Sequence, residues 1–87
     1  MTGPAASAAV RVLLFARYAD VLGADALSLE LPLPATLEQV VAAVRALPGG
    51  HRLPPHPLCA INLEQRAADT LVQPGDEVAL LPPLAGG

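Results

Sequence analysis

The chain has no lysine, no tryptophan, a single cysteine (Cys59) and only two aromatic residues, Phe15 and Tyr18. Each scarcity excludes something. One cysteine cannot form an internal disulfide, and such usage suits a reducing cytoplasm. The five basic residues are all arginines, scattered along the 87 residues and outnumbered by eight acidic ones, for a formal charge of −3. Without a cluster of positive charge, neither nucleic acid nor an anionic membrane is expected as a partner. No apolar run approaches the ~20 residues of a membrane span. Met1 to Ala9 lacks the basic and hydrophobic parts of a secretory signal, so none is expected. With 53% hydrophobic residues and so few aromatics, the core must be built from Val, Leu and Ala. A chain this short buries only ~60–65% of its unfolded surface, which implies one domain with little room for an internal active site.

What is present alternates between short strands and one clear helix. Ala8 to Phe15 is β-branched and apolar on both faces, as a central strand should be. Ala16 to Leu22 reads as a short helical turn closed by Gly23, and Leu27, Leu29 and Leu31 alternate with polar residues as a half-exposed second strand. After Pro32-Leu33-Pro34, Thr36 and Gln39 stand in capping-box spacing. Leu37, Val40, Val41, Val44 and Leu47 then form one helical stripe, stopped by Pro48-Gly49-Gly50. Residues 49–57 read as a stiff loop, Leu58 to Asn62 as a third strand, and 63–71 as mixed polar chain with one short edge strand. Gln73-Pro74-Gly75-Asp76 has the residues of a type II turn, and Glu77 to Leu81 is the last strand. One long helix among several strands predicts an α+β domain, its mixed sheet covered on one face, with the first and last strands central. Val10, Val12, Leu14, Val78 and Leu80 then meet the helix stripe, and Leu13, Phe15 and Leu81 are left on the uncovered face. The organisation expected is a loose leader over residues 1–7, a domain over 8–83 and an extended tail over 84–87.

The tail is Leu84-Ala85-Gly86-Gly87, reached through Pro82-Pro83. Two prolines cannot continue a sheet ladder and favour an extended exit. Four extended residues reach roughly 13 Å, and two glycines pass a channel that would stop a side chain. A compact mount ending this way offers a terminal carboxylate as a chemical handle, with a frayed terminus as the plainer alternative. The absence of lysine removes every side-chain amine that could capture an activated carboxylate; a codon bias toward arginine explains the same absence.

Val10-Arg11-Val12-Leu13-Leu14-Phe15-Ala16, Gly75-Asp76-Glu77-Val78-Ala79-Leu80-Leu81-Pro82-Pro83 and Gly86-Gly87 together resemble the small subunits of molybdopterin synthase, within the ubiquitin-like β-grasp sulfur carriers. The resemblance covers the chain from about Ala8 onward. It implies that an E1-like enzyme uses ATP to adenylate the Gly87 carboxylate and that a sulfur donor system converts it to a thiocarboxylate. Gly86 and Gly87 would then thread into a large catalytic subunit, where sulfur passes to cyclic pyranopterin monophosphate to build the dithiolene that holds molybdenum. It further implies a heteromeric complex, with Phe15, Leu13, Leu81, Pro82, Pro83, Leu84 and Ala85 as partner contacts. ATP belongs to the activating enzyme, and the chain itself is expected to bind no cofactor or metal and to act as a non-catalytic subunit. Three family positions depart from the usual pattern: Leu81 stands where an aromatic is often found, the family's arginine aligns with Ala19, and an apolar contact falls near Gln65. Carriers feeding thiazole or cysteine synthesis, a protein modifier joined to lysines, and a plain interaction module are the alternatives.

Other constellations are weaker. Cys59, inside an apolar strand, suits a core position better than a relay thiol. His51 and His56 share a Pro-rich loop with no nearby ligand to complete a metal site. Asp69, Asp76 and Glu77 read either as solvated turn residues or as a docking face for a basic partner.

Overall fold

The computed structural model describes residues 7–83. Its strands are β1 (Ser7–Leu14), β2 (Ala26–Pro32), β3 (Ala35–Thr36), β4 (Leu58–Ile61), β5 (Glu64–Arg66), β6 (Leu71–Val72) and β7 (Glu77–Leu81), and its helices are α1 (Arg17–Leu22) and α2 (Leu37–Arg45). Five strands form one sheet in the order β2-β1-β7-β4-β5, while β3 and β6 pair separately. β1 and β7 run parallel and the other pairs of the large sheet antiparallel. This is the α+β, ubiquitin-like β-grasp arrangement, with the first and last strands adjacent as their apolar character requires.

Alternation decides the faces. Val10, Val12 and Leu14 of β1, Cys59 and Ile61 of β4, and Val78 and Leu80 of β7 point to α2 and are buried in one core with Leu37, Val40, Val41 and Val44. Burying each such aliphatic side chain is worth about 1.5–3 kcal/mol, so the α2 stripe dominates the helix's stability. Its start is fixed by the expected capping box: the Gln39 amide donates to Thr36 Oγ1 at 3.1 Å and the Thr36 amide to Gln39 Oε1 at 2.8 Å. Its end comes at Arg45, two residues short of Leu47, because the residue before Pro48 is driven out of helical geometry. Gly49 and Gly50 do more than stop the helix. A β-carbon at Gly50 would strike the Val44 carbonyl, and one at Gly49 would lie 2.7 Å from the Val21 carbonyl at φ 84°. The ends of α1 and α2 thus meet where only glycines fit.

Several features differ from the sequence reading, among them the unexpected two-residue strand β3. β1 starts at Ser7, paired with Pro32 at the edge where proline's missing N–H costs nothing. It stops at Leu14, whose amide donates to the Asp25 carbonyl, so Phe15 lies beyond the strand. The 63–71 segment holds two short strands rather than one. β5 folds back on β4 through Asn62 and Leu63, with φ of 50° and 74°, the pattern of a two-residue type I′ hairpin loop.

Candidate functional site

Because β1 and β7 are parallel, their C-terminal ends emerge at the same edge of the sheet. Phe15 and Ala16 follow one end; Pro82 and Pro83 follow the other. Antiparallel β4 starts at this edge, setting Leu58 opposite Leu81. Ala16, Arg17, Leu58, Gln65, Leu81, Pro82 and Pro83 line one groove there. It opens on the sheet face away from α2, across which Leu13, Ala79, Ala60 and Gln65 stand in register on four strands. The alanines in that row are buried while Leu13 and Leu81 are half-buried, so the face is low, apolar and accessible. Phe15 at 43% and Leu58 at 43% exposure are large apolar side chains left at the same edge. Contiguous apolar surface of this kind on a small domain marks an interaction site.

The corner that presents Phe15 is unusual. Ala16 has φ 51° and ψ −128°, and the Tyr18 amide donates to the Phe15 carbonyl at 3.0 Å. Together these make a type II′ turn with Ala16 at its first central position, where glycine is the easy residue. A β-carbon in such a region costs about 1–3 kcal/mol.

Of the residues expected at the site, Leu13 lies on the open sheet face, Phe15 at the corner, and Leu81, Pro82 and Pro83 at the tail root. Leu84, Ala85, Gly86 and Gly87 lie outside the described residues. Arg17 and Leu58 join the groove without having been singled out from sequence, and Ala16, quoted only as part of the resemblance motif, joins it as well. The Leu58–Leu81 pairing could have been found only by fixing the β4–β7 register, and alanine at 16 carries no sign of a positive φ. Gln65 also lines the groove, a polar residue among the apolar Leu58, Leu81, Pro82 and Pro83.

The remaining candidates settle into structure. Cys59 is buried, its thiol donates to the Pro57 carbonyl at 3.4 Å, and burial pushes its pKa up to about 11. A thiol so held stays protonated near neutrality and makes a poor relay nucleophile. His51 lies in a 3₁₀ turn, Gly50–Arg52, and His56 lines a small crevice beside α2. Among the described residues no group of His, Cys, Asp or Glu is placed to hold a metal ion. Asp76 and Glu77 are engaged internally: Asn62 Nδ2 and the Gln73 amide donate to the Asp76 carboxylate at 3.0 and 2.9 Å, and Arg11 Nε to that of Glu77 at 3.1 Å. No helix among the described residues is long and apolar enough to cross a membrane.

Residues 12–87 match the ThiS family. The molybdopterin synthase sulfur carrier subunit of Arabidopsis thaliana is 32% identical over 82 residues, 93% of this chain and 85% of that protein. Small archaeal modifier protein 1 of Haloferax volcanii superposes with a TM-score of 0.77 at 26% identity, over 88% of this chain and 99% of the other. Subunit 1 in a complex of subunits 1 and 2 of the molybdopterin-converting factor from Helicobacter pylori shares the fold, with a TM-score of 0.65 at 21% identity over 91% and 99% of the two chains. The chain belongs to the ThiS family and is a homologue of the molybdopterin synthase sulfur carrier subunit.

Proposed function

We propose that the chain carries sulfur as a thiocarboxylate on Gly87 and delivers it to the large subunit of a molybdopterin synthase. The observation that carries this reading is the 32% identity to a molybdopterin synthase sulfur carrier over nearly the whole chain. The apolar groove at the tail root supports it, because a tail that threads into a partner must bring the partner's surface over its base. The chemistry dictates the order of events. A free carboxylate is a poor electrophile, so an E1-like enzyme must first join Gly87 to AMP with release of pyrophosphate. Sulfur at the sulfide level, released by the donor system, then attacks the acyl carbon, forming the C–S bond as the bond to AMP breaks and leaving the thiocarboxylate. Gly87 offers no side chain to obstruct that attack, and Gly86 permits the backbone conformations threading demands. Within the large subunit the sulfur passes to cyclic pyranopterin monophosphate. Such a carrier works in the cytoplasm, with ATP consumed only by its activating enzyme.

The test is intact-mass spectrometry after incubation with the cognate E1-like enzyme, ATP and a sulfur donor. The chain is expected to gain the mass of one oxygen replaced by sulfur. Deletion of Gly87 or Gly86→Val abolishes that gain while leaving the thermal unfolding midpoint unchanged. A truncated chain that still accepts sulfur would contradict the reading. A second reading, conjugation of Gly87 to lysines of target proteins, draws on the likeness to small archaeal modifier protein 1. It predicts a ladder of isopeptide-linked products in the same incubation when target proteins are supplied.

A further inference from the structure

Among the described residues, positive φ occurs at Gly23, Gly49 and Gly75, where it is easy, and at Ala16, Asn62 and Leu63, where it is not. Asn62 has an internal reason. Its side chain donates to Asp76 and accepts the Glu77 amide at 2.9 Å, contacts glycine could not make. Ala16 has no such reason. Its methyl is exposed, forms no hydrogen bond, and occupies the turn position at which glycine would relax the backbone. Within the isolated chain this β-carbon works against stability. What it does is line the groove at the tail root, beside Leu81, Pro82 and Pro83.

We propose that Ala16 is a specificity-determining contact, its methyl packing against the large subunit that receives the tail, next to the Phe15 side chain that the same turn displays. This rests on the carrier reading above. The occupant follows from continuity: Pro82 and Pro83 border the groove, and the threaded residues leave directly from them, so the protein that admits the tail must cover Ala16. Leu63 provides a matched control. It also holds a positive φ, is 85% exposed, and lies at the other end of β4, away from the tail root.

The experiment measures the affinity of the cognate large subunit for the full chain and for Ala16→Gly, Ala16→Asn and Leu63→Gly, with the thermal midpoint of each. Ala16→Gly is expected to melt about 2–6 °C higher, its relaxed backbone outweighing glycine's added chain entropy, yet to bind roughly three- to tenfold more weakly for want of one buried methyl. Ala16→Asn accepts the turn geometry and sets an amide in the groove, so it folds and binds more weakly still. Leu63→Gly melts higher and binds like the parent chain. Equal affinity of Ala16→Gly and the parent overturns the proposal, as does an equal loss in Leu63→Gly. Failure of the parent chain itself to bind overturns the carrier reading and the proposal with it.

Discussion

At its N-terminal end β7 enters the sheet through residues that are tied down, and at its C-terminal end it leaves through residues that are not. Asp76 and Glu77 are held by Asn62 through side-chain and backbone bonds, including Asn62 N to the Glu77 carbonyl at 2.8 Å, and Arg11 holds the Glu77 carboxylate. Leu81, Pro82 and Pro83 instead line an apolar groove together with the strained Ala16, and the half-exposed Phe15 immediately precedes that alanine. Both ends use non-glycine residues at positive φ, so strain alone does not distinguish them. At the hairpin end Asn62 offsets its strain with side-chain hydrogen bonds made within the chain, while Leu63 beside it does not; at the tail end Ala16, on the proposal above, offsets its strain against the large subunit. Fastening one end leaves the other free to serve as a surface.

Substitutions at the two ends should therefore separate binding from folding. The largest effect is expected from Phe15→Asp, which sets a charge where, on the carrier reading, the aromatic docks: affinity for the large subunit falls by about 2 kcal/mol or more. Its unfolding free energy moves by no more than about 0.5 kcal/mol, because Phe15 lies outside the core. Denaturant titration and calorimetry on one preparation check both halves. Next in size, Asn62→Ala removes the clamp on Asp76 and Glu77 and puts a less suitable residue at φ 50°. It lowers stability by about 1–2 kcal/mol and leaves affinity unchanged; a matching loss of affinity would erase the contrast between the ends.

Cys59 sharpens the comparison from between the two ends. Its pKa, raised by burial from 9.0 to about 11, means that the unfolded chain gives up its proton first. The associated stability is fully present below about pH 9 and is lost as pH rises through about 11. Denaturation midpoints across that window should fall less steeply in Cys59→Ala than in the parent. Sulfur transfer by the variant near neutral pH should be unchanged, which assigns the chemistry to the tail alone. The smallest expected effect is at Tyr18, whose amide closes the Ala16 turn while its hydroxyl is buried without a hydrogen-bond partner. Tyr18→Phe removes the orphaned hydroxyl and should raise stability by up to about 1 kcal/mol with no change in affinity.

The sequence made some of this legible because its signals were local. The Thr36–Gln39 box, the α2 stripe and the Pro74-Gly75 turn each depend on residues a few positions apart, and Gly75 adopts the expected positive φ of 89°. Likewise, the central place of β1 followed from its two apolar faces, and that of β7 beside it from a single long helix linking distant strands. What stayed hidden depends on register or on backbone strain. Leu58 meets Leu81 only through the pairing of β4 with β7, and Ala16 and Leu63 occupy conformations their residue types disfavour. The β4–β5 hairpin was missed because leucine stands where a type I′ turn would advertise itself with glycine. The acidic residues read as a docking face are for the most part internal ties, since Asp76 and Glu77 already have partners.

The most direct measurement follows sulfur off the chain through one round of dithiolene formation, which takes two sulfurs and therefore two loaded chains. Chain bearing a thiocarboxylate at Gly87 is mixed with the large subunit and cyclic pyranopterin monophosphate, and the chain's intact mass is followed alongside dithiolene formation. The account predicts that the mass returns to that of the free carboxylate as the dithiolene forms, and only with the large subunit present. Sulfur that stays on the chain under those conditions would contradict it.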